Sequence, residues 1–353
     1  MADSVTKKIA GEWLLILSTL GVIGTSAYLK RFPAYNKNDF KVIYTLFVFL
    51  VIIKGLERTN FLQAVAYRFR KGERLGLKLI LFTGLLSIFV TNDVALLTIV
   101  PLTLTLDLDN KAMLVVLETL AANAASPLTP FGNPQNLFLY YYYDLHPLKF
   151  IEAIAPLCVV TMLLIFLVGW KKTRAAQQDN NIANATLGWK SYGYVCLFIT
   201  FVLAVLRLLP LWIGAIAILY TLLFDRKSFS IDWLLLATFL AFFGLTDNIM
   251  NMVSFHLESR LQVFLYSALG SQVISNVPSA LLFADFTNNW RALLWGVSVG
   301  GFGSLLGSLA SLISYRLYSL KEDGRGFLIK FHTYSFGAFL LGIALYYLLY
   351  IFM

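Results

Sequence analysis

The chain has 353 residues, of which 59% are hydrophobic and only 13% are charged. A soluble domain carries about 25% charged residues, so the composition excludes a soluble protein, a disordered chain and a disulfide scaffold. The apolar runs are continuous rather than alternating, which predicts an all-α polytopic membrane protein and not a β-barrel. The net charge of +9 is typical of basic cytoplasmic loops and requires no nucleic-acid partner.

Seven apolar segments are predicted to be membrane spans, because a helix needs about 20 apolar residues to cross the hydrocarbon. They are residues 11–29, 42–56, 147–169, 191–209, 211–224, 232–250 and 332–353. The first span follows Lys7 and Lys8 and so resembles a signal peptide. Its length favours a retained transmembrane helix, with cleavage as the alternative.

Two further apolar stretches are too long for one span and too short for two. Residues 76–106 are interrupted by Thr91-Asn92-Asp93, and residues 261–286 are interrupted by Ser275-Asn276-Val277-Pro278. A polar turn at mid-membrane must lie against protein or a water-filled cavity. We therefore predict two re-entrant hairpins, each of which enters and leaves the membrane on the same side.

Each hairpin is followed by an apolar segment whose centre cannot continue a helix. Residues 111–143 contain three prolines and a glycine between 123 and 136, and residues 290–319 contain a glycine-rich run over 300–308. Both segments are predicted to be discontinuous helices. For the second, an intact helix with a glycine-rich packing face is the alternative.

The order span, hairpin, broken helix, span occurs twice, which predicts two repeats. They cover residues 1–169 and 191–353, with a cytoplasmic linker over 170–190. We expect an inner-membrane protein with nine full spans and a cytoplasmic N-terminus. This topology places 19 Lys and Arg residues on the cytoplasmic side and 8 on the external side. That distribution follows the positive-inside rule. The hairpins then open to opposite sides, so the repeats are inverted, as in transporters that alternate their access.

The polar residues of the tips and breaks are the candidate substrate and ion ligands. Helices that begin at mid-membrane present free N–H groups and a positive dipole end to an anion. Carbonyl and hydroxyl oxygens of the broken segments suit a small cation. The competing interpretation is that these residues only cap helices. The candidates are Thr91, Asn92, Asp93, Asn123, Ser126, Thr129, Pro130, Gly132, Asn133, Asn136, Ser275, Asn276, Val277, Pro278, Ser279, Gly301, Gly303, Ser304 and Ser308.

Ionisable residues inside spans are functional candidates because they are costly to bury. Glu118, on the first broken helix, is the strongest, whereas Arg207 and Asp247 are expected in structural pairs or at the interface. Asp93 is the one carboxylate at either tip and is expected to take part in ion coupling, the alternative being a permanently ionised cap. The run Tyr140–Tyr143 is interpreted as an external aromatic belt.

Residues 89–101, 126–136 and 272–278 resemble the ion transporter superfamily, which includes citrate and divalent-anion/sodium symporters and ArsB-type arsenite permeases. Within it the chain is most similar to short bacterial permeases of the YbiR type. The resemblance implies an elevator mechanism and allows a homodimer. It also implies a sodium site at the tips, formed by Thr91, Asn92, Asp93, Ser275 and Asn276. The family pattern Ser-Asn-Thr is replaced at its third position by Asp93 and Val277.

The sequence therefore predicts an ion-coupled secondary transporter of a small anion, either a di- or tricarboxylate or an inorganic oxyanion. Its partners are the anion, a coupling sodium ion or proton, and the lipid bilayer, with no other cofactor. An arsenite or antimonite exporter and a sodium/proton antiporter are the alternatives. An intramembrane enzyme is remote, because the sequence has no His-Glu-x-x-His, no Gly-x-Ser-x-Gly and no carboxylate pair on a suitable helix.

Overall fold

The computed structural model describes residues 13–68, 74–106, 108–173, 187–252 and 256–352. Over these ranges the regular structure is entirely helical, with sixteen α-helices and four short 3₁₀ turns. This confirms the all-α prediction. Most of the predicted linker 170–190 and the first twelve residues lie outside the described ranges.

Eight α-helices belong to the first half of the chain, up to the predicted linker. They are α1 (Trp13–Leu29), α2 (Lys37–Arg58), α3 (Phe61–Arg68), α4 (Leu75–Phe89), α5 (Asn92–Thr105), α6 (Lys111–Ala125), α7 (Pro134–Tyr142) and α8 (Pro147–Lys172). The second half supplies the other eight. They are α9 (Trp189–Val205), α10 (Gly214–Phe224), α11 (Trp233–Met252), α12 (Arg260–Ile274), α13 (Asn276–Ala284), α14 (Trp290–Gly300), α15 (Leu309–Ser319) and α16 (Gly324–Phe352).

Both predicted hairpins form a helix, a sharp turn and a second helix. Helices α4 and α5 turn at Val90 and Thr91, and helices α12 and α13 turn at the single residue Ser275. The backbone of Ser275 has φ 73° and ψ 157°. This region is essentially reserved for glycine and costs about 1–3 kcal/mol for other residues. The turn of the second hairpin is therefore strained.

Both predicted broken helices are discontinuous, so the intact-helix alternative for the second one is wrong. In the first, α6 runs into a 3₁₀ turn (Ser126–Leu128), and α7 starts at Pro134, where the missing N–H costs nothing. Asn133 caps α7 by accepting a hydrogen bond from the Asn136 N–H at 3.0 Å. In the second, α14 ends at Gly300, and α15 begins at Leu309 after a 3₁₀ turn.

The helices pack as two groups, and the chain contributes helices to each group twice, in alternation. The frame bundle consists of α1, α2, α9, α10 and α11, which contact one another extensively. The hairpin bundle consists of α4 to α8 and α12 to α16, and so it contains both hairpins and both broken helices. The main contacts between the two groups are α2 with α7 and α11 with α13, and the short α3, which belongs to neither group, contacts both α2 and α5. The interface between the bundles is thus small compared with the packing inside each.

Aromatic side chains fill this interface. The Phe49 ring of α2 stacks on Phe131 of the first break, with 5.8 Å between ring centroids. Tyr140 is fully buried, and its hydroxyl donates to the Val205 carbonyl oxygen at 3.1 Å. Tyr141 is also buried. The interpretation of the tyrosine run as an aromatic belt is therefore wrong for these two residues, because α7 is packed between the bundles and not exposed at the membrane surface.

Membrane-facing surface is visible on the long helices. Helix α8 buries Phe150, Ile154 and Leu157 on one face and leaves Val159 63% and Leu163 56% exposed on the other. Within the described ranges, three helical segments are long and apolar enough to cross a membrane: Pro147–Lys172, Arg226–Met252 and Gly324–Tyr350. Five more apolar segments are shorter, from 10 to 17 residues. The count of nine spans, the orientation and the inverted repeats stay predictions.

The first break is predicted to tolerate no side chain at Gly132. A Cβ atom there would lie 2.1 Å from the Ser126 carbonyl oxygen, which is backbone and cannot rotate away. Gly132→Ala should therefore lower the free energy of unfolding by about 1–3 kcal/mol, measured as a lower melting temperature in detergent. The matched control is Gly337→Ala, whose Cβ would meet nothing within 4 Å. Equal melting temperatures for the two variants would contradict the close packing of this loop.

Candidate functional site

Asn123 lies at the centre of the polar residues that the sequence singled out. It occupies the end of α6 and is only 4% exposed. Its Oδ1 accepts hydrogen bonds from Asn92 Nδ2 at 3.0 Å and from Ser308 Oγ at 3.2 Å. Its Nδ2 donates to the Gly301 carbonyl at 3.2 Å and to Ser311 Oγ at 3.1 Å. Every hydrogen-bonding position of this amide is used, and it joins the first tip to the second break.

The tip of the second hairpin reaches the same place. A Cβ atom on Gly301 would lie 3.1 Å from Asn276 Nδ2, so the Asn276 amide rests against the second break. Asn276 is 5% exposed and is the first residue of α13. The backbone N–H groups of Asn276 and Val277 have no acceptor in the part of the chain that the structure describes. The two tips thus meet at one polar centre, which we call the tip cluster: Asn92, Asn123, Asn276, Gly301, Ser308 and Ser311.

The loop of the first break is held against the first hairpin by its own polar residues. The Asn92 N–H donates to the Gly132 carbonyl at 3.3 Å, and Thr129 Oγ1 donates to the Ile88 carbonyl at 2.7 Å. Within the loop, Asn136 Nδ2 donates to the Pro127 and Thr129 carbonyls. Asn133 Nδ2 donates to Ser126 Oγ at 3.3 Å. These residues shape the loop, and the buried Pro130 lies within it.

The second break is held by Gln272, which sequence reasoning missed as a site residue. Gln272 Nε2 donates to the Gly300 and Phe302 carbonyls at 2.9 and 3.0 Å, and its Oε1 accepts from the Ser304 N–H at 2.8 Å. Gly303 has φ 91°, a left-handed conformation suited to glycine. The available signal was the presence of Gln272 in the stretch 272–278 that resembles the superfamily.

The tip residues do more than cap helices. Thr91 and Ser275 occupy the positions before α5 and α13, yet neither side chain makes a capping hydrogen bond. The Asn92 amide is directed to Asn123, although its Oδ1 also accepts from the Asp93 N–H at 3.1 Å. Ser279 is oriented away from the tip cluster, since its hydroxyl donates to the Ser267 carbonyl of α12. Pro278 is the third residue of α13.

Asp93 stands beside the cluster with its carboxylate unengaged. The side chain is half-buried, in the first turn of α5. No hydrogen bond or ion pair to its carboxylate oxygens is formed by the residues in the described ranges. The carboxylate is therefore free to meet a cation or a proton.

Arg207 and Asp247 form structural pairs, as expected. Arg31 pairs with Asp247, and Arg207 Nη2 lies 2.6 Å from Asp144 Oδ1. Lys54 is paired with Glu57 at 2.9 Å. Among the described residues, no group of three His, Cys, Asp or Glu side chains is arranged to hold a metal ion.

Two helical hairpins and two broken helices that meet at a polar centre are typical of secondary transporters. Residues 9–300 match the citrate transporter family, and the chain belongs to that family. This confirms the resemblance to the ion transporter superfamily.

Particular relatives are similar over most of the chain. The inner membrane protein YbiR of Escherichia coli (strain K12) is 34% identical over 93% of both chains. The uncharacterized transporter MJ0456 of Methanocaldococcus jannaschii is 34% identical over 79% of this chain and 81% of its own length. The silicon efflux transporter LSI3 of Oryza sativa subsp. japonica is 28% identical over 39% of this chain and 31% of its own.

The tip cluster is predicted to depend on Asn123. Asn123→Ala leaves the Gly301 carbonyl and the Asn92 amide without their partner, and each buried unsatisfied group costs about 1–3 kcal/mol. We expect a clear fall in melting temperature. The control is Asn251→Ala, which removes a single exposed bond from Asn251 Nδ2 to the Asp247 carbonyl. A melting temperature for Asn123→Ala as high as that of the control would show that the cluster does not join the two halves.

Proposed function

We propose that the protein is an ion-coupled secondary active transporter of a small anion, with the tip cluster as its binding site. The observation that carries this proposal is the meeting of two helix N-termini, those of α5 and α13, at one set of buried amides and hydroxyls. The family is named for the transport of citrate, an anion. A di- or tricarboxylate or an inorganic oxyanion is the proposed substrate class.

The second tip supplies the attraction for an anion. The unpaired N–H groups of Asn276 and Val277 point along the axis of α13 at its positive end, which favours negative charge. Strain at Ser275 supports this assignment, because strained backbone is found preferentially where function requires it. The Asn276 amide adds two side-chain donors.

The first tip supplies the proposed cation site. Asp93 provides a carboxylate without a protein partner, and Thr91 and Asn92 provide a hydroxyl and an amide oxygen beside it. Oxygen ligands suit sodium, whereas a lone carboxylate also suits a proton. One centre would then hold the anion and its coupling ion together, as symport requires.

The packing of the helices supports an elevator mechanism. The hairpin bundle contains the whole tip cluster, while the frame bundle contacts the hairpin bundle mainly through α7 and α13. A small, aromatic interface permits sliding of one group against the other more readily than interlocked helices would. We propose that the hairpin bundle carries the anion across the membrane, with the N-terminus cytoplasmic and the two repeats inverted.

Export of an uncharged hydroxylated acid is the second candidate function. It is favoured by the similarity to a relative named as a silicon efflux transporter, over 39% of this chain. Amides and hydroxyls such as Asn123, Ser308 and Ser311 can bind hydroxyl groups as well as an anion. Arsenite belongs to the same chemical class, so it serves as the probe for this alternative.

A thermal-shift screen of the purified protein separates these functions. A ligand that binds the native state raises the melting temperature by mass action. The probes are citrate, succinate, sulfate, phosphate and arsenite, each in sodium and in choline buffer. A shift with an anion supports the proposal, and a larger shift in sodium indicates sodium coupling. A response to arsenite alone supports the exporter, and no response to any probe contradicts both.

Asn276→Ala should abolish anion binding with little change in stability. The Asn276 amide has a weak contact with the Ser275 hydroxyl at 3.5 Å, so its removal leaves no buried partner unsatisfied. Asn92→Ala should also abolish binding but lower the melting temperature more, because it removes the bond to Asn123. The measurement is the thermal shift with the anion found in the screen. If both variants keep the wild-type shift, the tip cluster is not the binding site.

Asp93→Asn should remove the dependence of anion binding on the coupling ion. Asn caps a helix about as well as Asp, so the fold and the position of α5 should be retained. We expect the anion-induced thermal shift to persist but to lose its response to sodium and to pH. A variant that keeps the wild-type response would show that Asp93 is a permanently ionised helix-start residue and that coupling lies elsewhere.

Joining the two bundles should stop transport. In a Cys158→Ala/Cys196→Ala background, Phe138→Cys and Phe243→Cys place thiols on α7 and α11, whose rings have centroids 5.7 Å apart. A short thiol cross-linker should block uptake into proteoliposomes, and cleavage of the linker should restore it. The control pair, Phe264→Cys with Tyr346→Cys, lies inside the hairpin bundle. Inhibition by both pairs alike, or by neither, would contradict movement between the bundles.

A further inference from the structure

A carboxylate lies buried in the hairpin bundle outside the tip cluster. Glu118 on α6 and Thr103 on α5 are both 0% exposed. Thr103 Oγ1 donates a hydrogen bond to Glu118 Oε1 at 2.5 Å. The other oxygen, Oε2, is buried and has no hydrogen-bond partner in the described part of the chain. One of the two carboxyl oxygens of Glu118 therefore lacks a hydrogen-bond partner among the described residues of the hairpin bundle.

Within the described ranges, no positively charged side chain is paired with Glu118. Helix α6 packs against α4, α5, α8, α15 and α16. The titratable side chains within these helices include Lys78, Asp93, Cys158, Tyr315, Arg316 and His332. Among the described residues, Thr103 is the sole side chain that hydrogen-bonds Glu118, and none forms an ion pair with it. An ionised carboxylate here would have no countercharge.

An uncompensated buried charge is expensive, and a buried carboxyl group avoids this cost by holding a proton. The environment of Asp93 is different. Asp93 is half-buried and lies in the first turn of α5, where the helix dipole favours a negative charge. Glu118 lies in the interior of α6, away from either helix end, so no such helix-end stabilisation acts on it.

A purely structural role would not require an acid at this position. A neutral Gln accepts the same hydrogen bond from Thr103 and would join α5 to α6 equally well, as interhelical polar contacts do in membranes. Glu118 is also near the proposed binding site. It precedes Asn123 by five residues on the same helix, a rise of about 7.5 Å.

We propose that Glu118, positioned by Thr103, is a proton-binding site separate from the tip cluster, and that its proton exchanges with water as the hairpin bundle moves. This inference rests on the proposed transport function. In the exchange, the carboxyl O–H bond breaks and the proton passes to a water molecule on the side where the bundle is open. The Thr103 hydroxyl continues to donate to the resulting carboxylate. Reprotonation from the other side restores the neutral group.

The experiment is infrared spectroscopy of the reconstituted protein, which needs no transported ligand. The carbonyl stretch of a protonated carboxylic acid is separate from that of a carboxylate. We expect the wild type to show a protonated carboxyl band that Glu118→Gln lacks. The control variant Glu152→Gln, at an exposed position, should retain it. A band unchanged in Glu118→Gln would overturn the proposal.

Transfer to deuterated buffer then tests the link to movement. The band should shift on exchange in the free protein, and the Phe138→Cys/Phe243→Cys cross-link should slow the shift by about tenfold or more, because it suppresses the opening that exposes the group. Equal rates with and without the cross-link, or no exchange in either state, would show a structural acid and overturn the proposal.

Failure of this inference is distinguishable from failure of the proposed function. Glu118→Gln retains the tip cluster, so it should keep the anion-induced thermal shift. An anion shift in the variant, together with a failed infrared test, rejects the proton site and leaves the transporter intact. Thr103→Val should keep the band but change its frequency, because the hydrogen bond to Oε1 is lost.

Discussion

The need to hydrogen-bond every polar group inside a lipid bilayer is the constraint on which this structure depends. Two hairpins and two broken helices bring interrupted backbone and polar side chains into the interior. Asn123 satisfies these groups from both halves at once, through Asn92 on one side and Gly301, Ser308 and Ser311 on the other. Gln272 does the same for the backbone of the second break. The irregular segments are therefore stable because they satisfy one another.

Charged side chains and neutral polar side chains occupy different parts of the molecule. The observed ion pairs, such as Arg207 with Asp144 and Lys54 with Glu57, involve partly exposed side chains. The interior instead uses amides and hydroxyls, whose burial costs far less when they are paired. The carboxyl groups of Asp39, Asp93 and Glu118 are also wholly or partly buried, and the last two belong to the hairpin bundle.

The sequence predicts the elements of this fold well because the thickness of the membrane fixes how many apolar residues a spanning helix needs. Residues 76–106 cannot form one span or two, and the prolines of 123–136 cannot continue a helix, so the hairpin and the break follow from arithmetic and sterics. The hydrogen-bonding partners within the site are harder to predict from the sequence. A periodic pattern places Asn123 on a helix face but does not say which helix it faces, so its bond to Ser311 was not foreseen.

The same limit explains one wrong interpretation and one contact that is not made. Tyr140 and Tyr141 look like an interfacial belt by composition, yet they are buried because α7 lies between the bundles. Thr91 and Ser275 have the residue types of helix caps but make no capping bond. In both cases the residue type indicates the polarity of the side chain, but the packing of the helices determines which groups that side chain contacts.

The reach of Asn123 across the molecule has a consequence for biogenesis. Its partners Ser308 and Ser311 are made more than 180 residues after it. Until then the amide of Asn123 lacks both the hydroxyl donor Ser308 and the hydroxyl acceptor Ser311, and an incomplete chain with unsatisfied polar groups is prone to recognition by chaperones and proteases. A ribosome that stops before Ser308 therefore releases a product in which the Asn123 amide is not fully hydrogen-bonded.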